Sequence, residues 1–143
     1  MQASTRFSVA IHILTMISAS SDFTLTSGVM ASSVNTNEVV IRRLLGLLKK
    51  AGFVESKSGT GGGWTLNRVP SEINIADVYR AVEQTRVLSI HQNPNPACQV
   101  GRNIQQTLDR VYSLAQTEME RSLGAWTLAD VHAQLIRFEE QRA

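Results

Sequence analysis

Residues 56–66 read SKSGTGGGWTL, and four of the five positions from 59 to 63 are glycine. Such runs meet phosphates in two settings: loops that cradle a nucleotide, and turns that lie on a nucleic-acid backbone. The residues that follow separate them. A Walker-type loop ends in Gly-Lys-Ser/Thr, because the Lys neutralises phosphate charge and the hydroxyl binds magnesium. Here Trp64 follows the last glycine. The dinucleotide fingerprint needs glycine at its first, third and sixth positions, between a strand and a helix. Gly59 and Gly61 fit, but the sixth position is Trp64 and the following WTLNRV reads as a strand. No helix N-terminus then stands ready for a pyrophosphate.

Working outward, FVESKS before the glycines and WTLNRV after them alternate in part, so 53–69 reads as a β-hairpin. The preceding segment has a helical period over about 37–51. Val39, Val40, Ile41, Leu44, Leu45, Leu47 and Leu48 supply its apolar side, and Arg42, Arg43, Lys49 and Lys50 the other. Asn35 with Glu38 three residues on has the form of a capping box, and Gly52 is placed to stop the helix. A short helix over about 26–33, with Val29 and Met30 facing inward, precedes it across the polar turn SVNT. Residues 4–20 form a first helix. Phe7, Ala10, Ile11, Leu14 and Ile17 recur at helical spacing, and Val9, Ile13 and Met16 widen the stripe, which predicts burial on more than one side.

The order helix, helix, helix, strand, strand predicts a winged helix-turn-helix. Its third helix lies in the major groove with its N-terminal part toward base edges. The hairpin is the wing, and glycines at its tip permit positive φ and let backbone N–H groups approach phosphate. Glycines alone would favour a turn without a ligand. The helix order and the basic third helix decide for a double-stranded DNA partner.

Past Pro70, INIADVYRAVE is a short helix with Ile75, Val78 and Val82 on one face, and residues 85–100, with two prolines, form a loop. A long helix runs from Gly101 to about Leu123. Ile104, Leu108, Val111 and Ala115 follow at spacings of four, three and four, a seam for packing on another helix. Thr127 and Asp130 open a last helix, reaching about Arg137, with a second capping-box pattern. The expected fold class is mainly α with a small β-hairpin: a winged helix-turn-helix followed by a long C-terminal dimerisation helix.

Bulk properties narrow the function. The 143 residues are 43% hydrophobic, enough for a core. No apolar run approaches the ~20 residues that span a bilayer, so no membrane partner is expected. The start MQASTRFSVAIHIL has some signal-peptide character, but His12 interrupts it and no cleavage site follows. A single cysteine builds no internal disulfide framework, and the expected compartment is the reducing cytoplasm. Residues 1–70 hold seven Lys/Arg against three Asp/Glu, a net of +4, whereas 71–143 hold seven against nine, a net of −2. The basic half is the half with the wing. An enzyme is not expected: Ser89 and His91 in SIHQN lack an acid and an elbow motif, and FEEQ reads as a solvated helix end.

The stretch VIRRLLGLLKKAGFVESKSGTGGGWTLNRVPSEINIADVYRAVE resembles the core of the Rrf-two family of bacterial transcription regulators. The resemblance extends to the first helix, to CQVGRNI before the long helix and to TLAD. It implies a homodimeric repressor, paired through the long helices, on a roughly palindromic operator. It divides the chain into a DNA-binding domain (1–84), a sensor-type loop (85–100) and dimerisation helices (101–143). Asn35, Thr36, Asn37, Arg42 and Arg43 fall on the start of the recognition helix, where Arg reads guanine and Asn reads adenine. Lys49 and Lys50 fall further along, toward phosphate or solvent. In the wing, Lys57, Ser58, Thr60, Gly61 and Gly62 meet the backbone, and Ser58 stands where the family often places an arginine. A winged-helix adaptor without specific DNA binding is the alternative.

Cluster-binding members carry three cysteines before the long helix, and this chain has only Cys98. One thiolate per subunit cannot supply that ligand set, so no iron–sulfur cofactor and no structural zinc are expected. Two readings of Cys98 stay open. It is a small buried hydrophobe, or it senses an oxidant or other small-molecule signal from a position just before a helix start, where reactive cysteines are found.

Overall fold

The computed structural model describes residues 4–20 and 22–143. Met1–Ala3, part of the signal-like start, and Ser21, within the first break, lie outside them. The elements are α1 (Arg6–Ala19), α2 (Ser27–Val34), α3 (Glu38–Lys50), β1 (Val54–Lys57), β2 (Gly63–Leu66), a 3-10 turn (Pro70–Glu72), α4 (Ile75–Val82), α5 (Gln99–Leu123) and α6 (Leu128–Arg142). This is the predicted order, a winged helix-turn-helix followed by a long helix. The long helix begins two residues before Gly101.

The wide stripe of α1 is explained by its position. Ala10, Ile13, Leu14 and Ile17 are buried, and α1 packs against α2, α3, α4, α6 and β2. The turn between α2 and α3 corrects one expectation. Asn35 is not the cap of α3. It closes α2 in the left-handed conformation (φ 64°, ψ 51°), which asparagine tolerates better than most residues. Asn37 is the cap, its Oδ1 accepting from Val40 N at 3.1 Å. Glu38 is therefore the first residue of α3, and no Asn35–Glu38 box forms. The box at Thr127 and Asp130 does form, with bonds of 3.2 and 2.8 Å.

β1 and β2 pair antiparallel in the register Val54 with Leu66 and Lys57 with Gly63. A third segment joins them. Leu25 bridges Trp64, with Trp64 N donating to Leu25 O at 2.7 Å and Leu25 N to Trp64 O at 3.2 Å. This close approach requires glycine at position 63, where a Cβ would stand 2.6 Å from the Leu25 carbonyl oxygen.

α6 folds back on the winged domain. Leu128 is fully buried in the same core as Ile13, Leu45 and Val78. Leu128 N donates to Ile73 O and Ile75 N to Trp126 O, at 2.9 and 3.0 Å. Asn74 caps α4 by accepting from Ala76 N and also donates to Gly124 O, at 2.9 and 2.8 Å. It thus pins the end of α5 to the start of α4. By contrast, none of the 25 residues of α5 is buried.

Candidate nucleic-acid interface

The amphipathic pattern of α3 sorts its residues cleanly. Ile41, Leu44, Leu45 and Leu48 are buried, and Arg42, Arg43, Gly46, Lys49 and Lys50 are exposed. The apolar side therefore holds the helix against the core and leaves the basic side toward solvent. Val39 departs from the expected pattern. It is 58% exposed at the N-terminal end of the helix, where an apolar side chain can touch a thymine methyl.

The basic residues have different surroundings. Arg42 is ion-paired with Glu38, four residues earlier on the same face. Glu38 also accepts from Ser27 Oγ at 3.3 Å, so a carboxylate ties α2, α3 and Arg42 together. Lys49 Nζ donates to Ser56 Oγ of β1 at 3.1 Å, which links the end of α3 to the wing. Arg43, Lys50 and Lys57 have no carboxylate partner among the described residues. Asn35 and Asn37 are exposed beside the helix start, with Thr36 half-buried between them. Asn37 spends one side-chain oxygen on the cap.

At the wing tip, Gly62 N donates to Gly59 O at 3.0 Å. This closes a four-residue turn with Thr60 and Gly61 at its centre. Gly61 has φ +74°, as a type II turn requires at its third position. Ser58 and Thr60 are exposed, and Lys57 ends β1 beside the turn. Thr24 Oγ1 donates to the carbonyl oxygens of Gly61 and Gly62, at 2.8 and 3.3 Å, and so fixes the tip from outside the hairpin. Arg68, at the foot of the wing, lies over the Phe53 ring at 5.1 Å. Thr24 and Leu25 on the wing side, and Glu38 and Val39 as exposed or bonded groups at the helix start, are positions that the sequence pattern does not single out for binding. Their spacing carries no motif.

In the 85–100 segment, Arg86 donates to Asp109 at 2.8 Å and Gln105 Nε2 to His91 O at 3.0 Å, which holds the loop along α5. Cys98 is exposed, as the cap residue of α5, which overturns the buried reading of this thiol. Along α5, Ile104 and Leu108 are half-buried. Val111 and Ala115 are exposed, and Val100 and Leu114 extend the apolar stripe at 66% and 65% exposure.

The Rrf2 family, described as "Iron-dependent Transcriptional regulator", matches residues 3–134. YwnA of Bacillus subtilis (strain 168), which carries the name of an HTH-type transcriptional regulator, is 45% identical over 127 residues, 88% of this chain and 93% of its own length. A crystal structure described as that of a DNA binding protein is 41% identical. It superposes with a TM-score of 0.72 over 88% of this chain and 97% of that one. IscR of T. potens superposes with a TM-score of 0.71 at 21% identity, covering 94% of this chain and 88% of its own. At that identity the likeness is one of fold. The family description names iron, but the residues here do not supply a cluster's ligand set. Cys98 is the one cysteine of the chain. Among the described residues no three His, Cys, Asp or Glu side chains are grouped to hold a metal.

Proposed function

The chain belongs to the Rrf2 family of transcriptional regulators, and on that premise we propose that it is a homodimeric repressor that binds a roughly palindromic operator through α3 and the wing. The observation that carries this reading is the exposed basic face of α3, Arg42, Arg43, Lys49 and Lys50, beside a glycine-tipped wing. Asn35, Thr36, Asn37, Arg42 and Arg43 contact base edges. Lys49, Lys50, Lys57, Ser58, Thr60 and the amides of Gly61 and Gly62 contact the phosphate backbone. In this partition residues 1–84 bind DNA, 85–100 form a sensor-type loop and 101–143 mediate pairing, the pairing surface being on α5 while α6 also closes the winged-domain core. Ile104, Leu108, Val111 and Ala115 form the dimer seam, supported by the absence of any buried residue along α5. The protein acts in the cytoplasm and works without an iron–sulfur cluster.

Duplex binding measured against salt tests the reading. A protein that neutralises phosphates releases their counterions, so affinity falls steeply with ionic strength, by about a thousandfold or more between 50 and 200 mM for six or more contacts. A winged-helix adaptor would show no such binding.

Cys98 supplies the signal in this proposal, and its exposure favours that role. With one thiol per chain, oxidation gives a sulfenic acid, a mixed disulfide or a bond between subunits. Diamide is expected to change the DNA affinity of the wild type and to leave a Cys98→Ser variant unaffected. An equal response from both removes Cys98 from the mechanism.

A further inference from the structure

A cleft of about 580 Å³ opens between α1, α4, the 85–89 segment and α5, with no residue of α3 or the wing in its lining. Its size falls within the roughly 300–1,000 Å³ of small-molecule sites. Phe7 and Tyr79 form one wall, edge to face with ring centroids 5.3 Å apart. Met119 and Val87 add further apolar surface, the former soft and polarizable. Two charged groups line the cleft. The Arg86 guanidinium is already committed, one nitrogen donating to Asp109 at 2.8 Å and another to Ser113 Oγ. Glu83 is not. Among the described residues its carboxylate accepts only from Ser4 Oγ, at 2.7 Å, and has no cationic partner.

An aromatic pair beside an unneutralised carboxylate is the chemistry that holds organic cations, because the ring faces and the carboxylate attract the same charge. We propose that this cleft binds a lipophilic organic cation, its apolar body against Phe7, Tyr79 and Met119 and its positive charge at Glu83. The walls come from both the winged domain and α5, so such a ligand touches the DNA-binding part and the pairing helix together. Differential binding to two arrangements of those parts would couple the cleft to DNA. The proposal deepens the signal-responsive reading above. It is read by ligand binding alone, so it stands or falls separately from DNA binding.

The test is calorimetric titration of the full chain with tetraphenylphosphonium and with tetraphenylborate, which share a shape and differ in charge sign. Wild-type protein should bind the cation at least tenfold more tightly than the anion. Glu83→Gln should weaken cation binding at least tenfold. Glu83→Asp, which keeps the charge, should retain it to within about threefold, and Glu139→Gln, on the far end of α6, should leave it unchanged. No cation binding by wild type, equal binding of the two ions, or full affinity in Glu83→Gln would overturn the proposal. Equal loss in Glu139→Gln would overturn it too, since only overall charge would then be at work.

Discussion

Arg42 and Arg43 are adjacent in sequence and differently held in space. Arg42 is tethered to Glu38, and both side chains are well exposed, at 61% and 44%. An exposed helix pair of this spacing is worth about 0.3–0.5 kcal/mol. A bidentate arginine–guanine contact discriminates by about 1–3 kcal/mol. The ion pair therefore orients Arg42 without withholding it from a base. Arg43→Ala should weaken binding to the specific operator by roughly 10- to 100-fold, with a much smaller change on non-specific duplex, as read by competition titration. Glu38→Gln should barely move the melting temperature yet change the preferred base at one operator position. An unchanged preference would show that Glu38 acts only within the protein. The basic residues were legible because charge opposite an apolar stripe is a periodic signal. Glu38 and Val39 were not, because their orientation depends on where α3 begins. That start is set by Asn37 rather than Asn35, a choice between two equally good caps that only the left-handed conformation of Asn35 resolves.

The order of the elements was legible because the hydrophobic period changes from helical to alternating at Gly52 and glycines mark the tip. The bridge from Leu25 to Trp64 was not, since one paired residue leaves no alternation to read. The return of α6 to the core was hidden for a similar reason: Leu128 is one apolar residue after a cap, and the core residues Ile13, Leu45 and Val78 lie fifty or more positions away. Each feature has a test at this scale. Gly61→Ala places a Cβ at φ +74°, and should lower unfolding free energy by about 1–2 kcal/mol. Thr24→Val removes the bonds to Gly61 and Gly62, and should speed amide hydrogen exchange at the wing tip while that of α3 stays the same. Leu128→Ala should cost about 2–5 kcal/mol in denaturant unfolding. A value near zero would mean that α6 is not part of the winged-domain core.

Across the whole molecule, α5 touches α4 and the 85–100 segment but leaves its apolar stripe uncovered. At 25 residues it extends about 37 Å, and its apolar stripe meets no core within the chain. In the proposed dimer a second copy covers that stripe and brings two recognition helices to one duplex. Val111→Asp should shift the protein from dimer to monomer in sedimentation, and with it reduce operator affinity. The seam was visible in the sequence as a four-three-four spacing, whereas Val100 and Leu114 joined it only once their exposure was known. Whether paired α3 helices read DNA sequence is decided by selecting bound duplexes from a randomised pool. The expected result is an enriched, two-fold symmetric consensus. Its half-sites should lie about one helical turn apart, roughly 34–36 Å, and the enrichment should be lost in the Arg42→Ala, Arg43→Ala double variant. A pool without enrichment, or the same consensus recovered with the double variant, would contradict it.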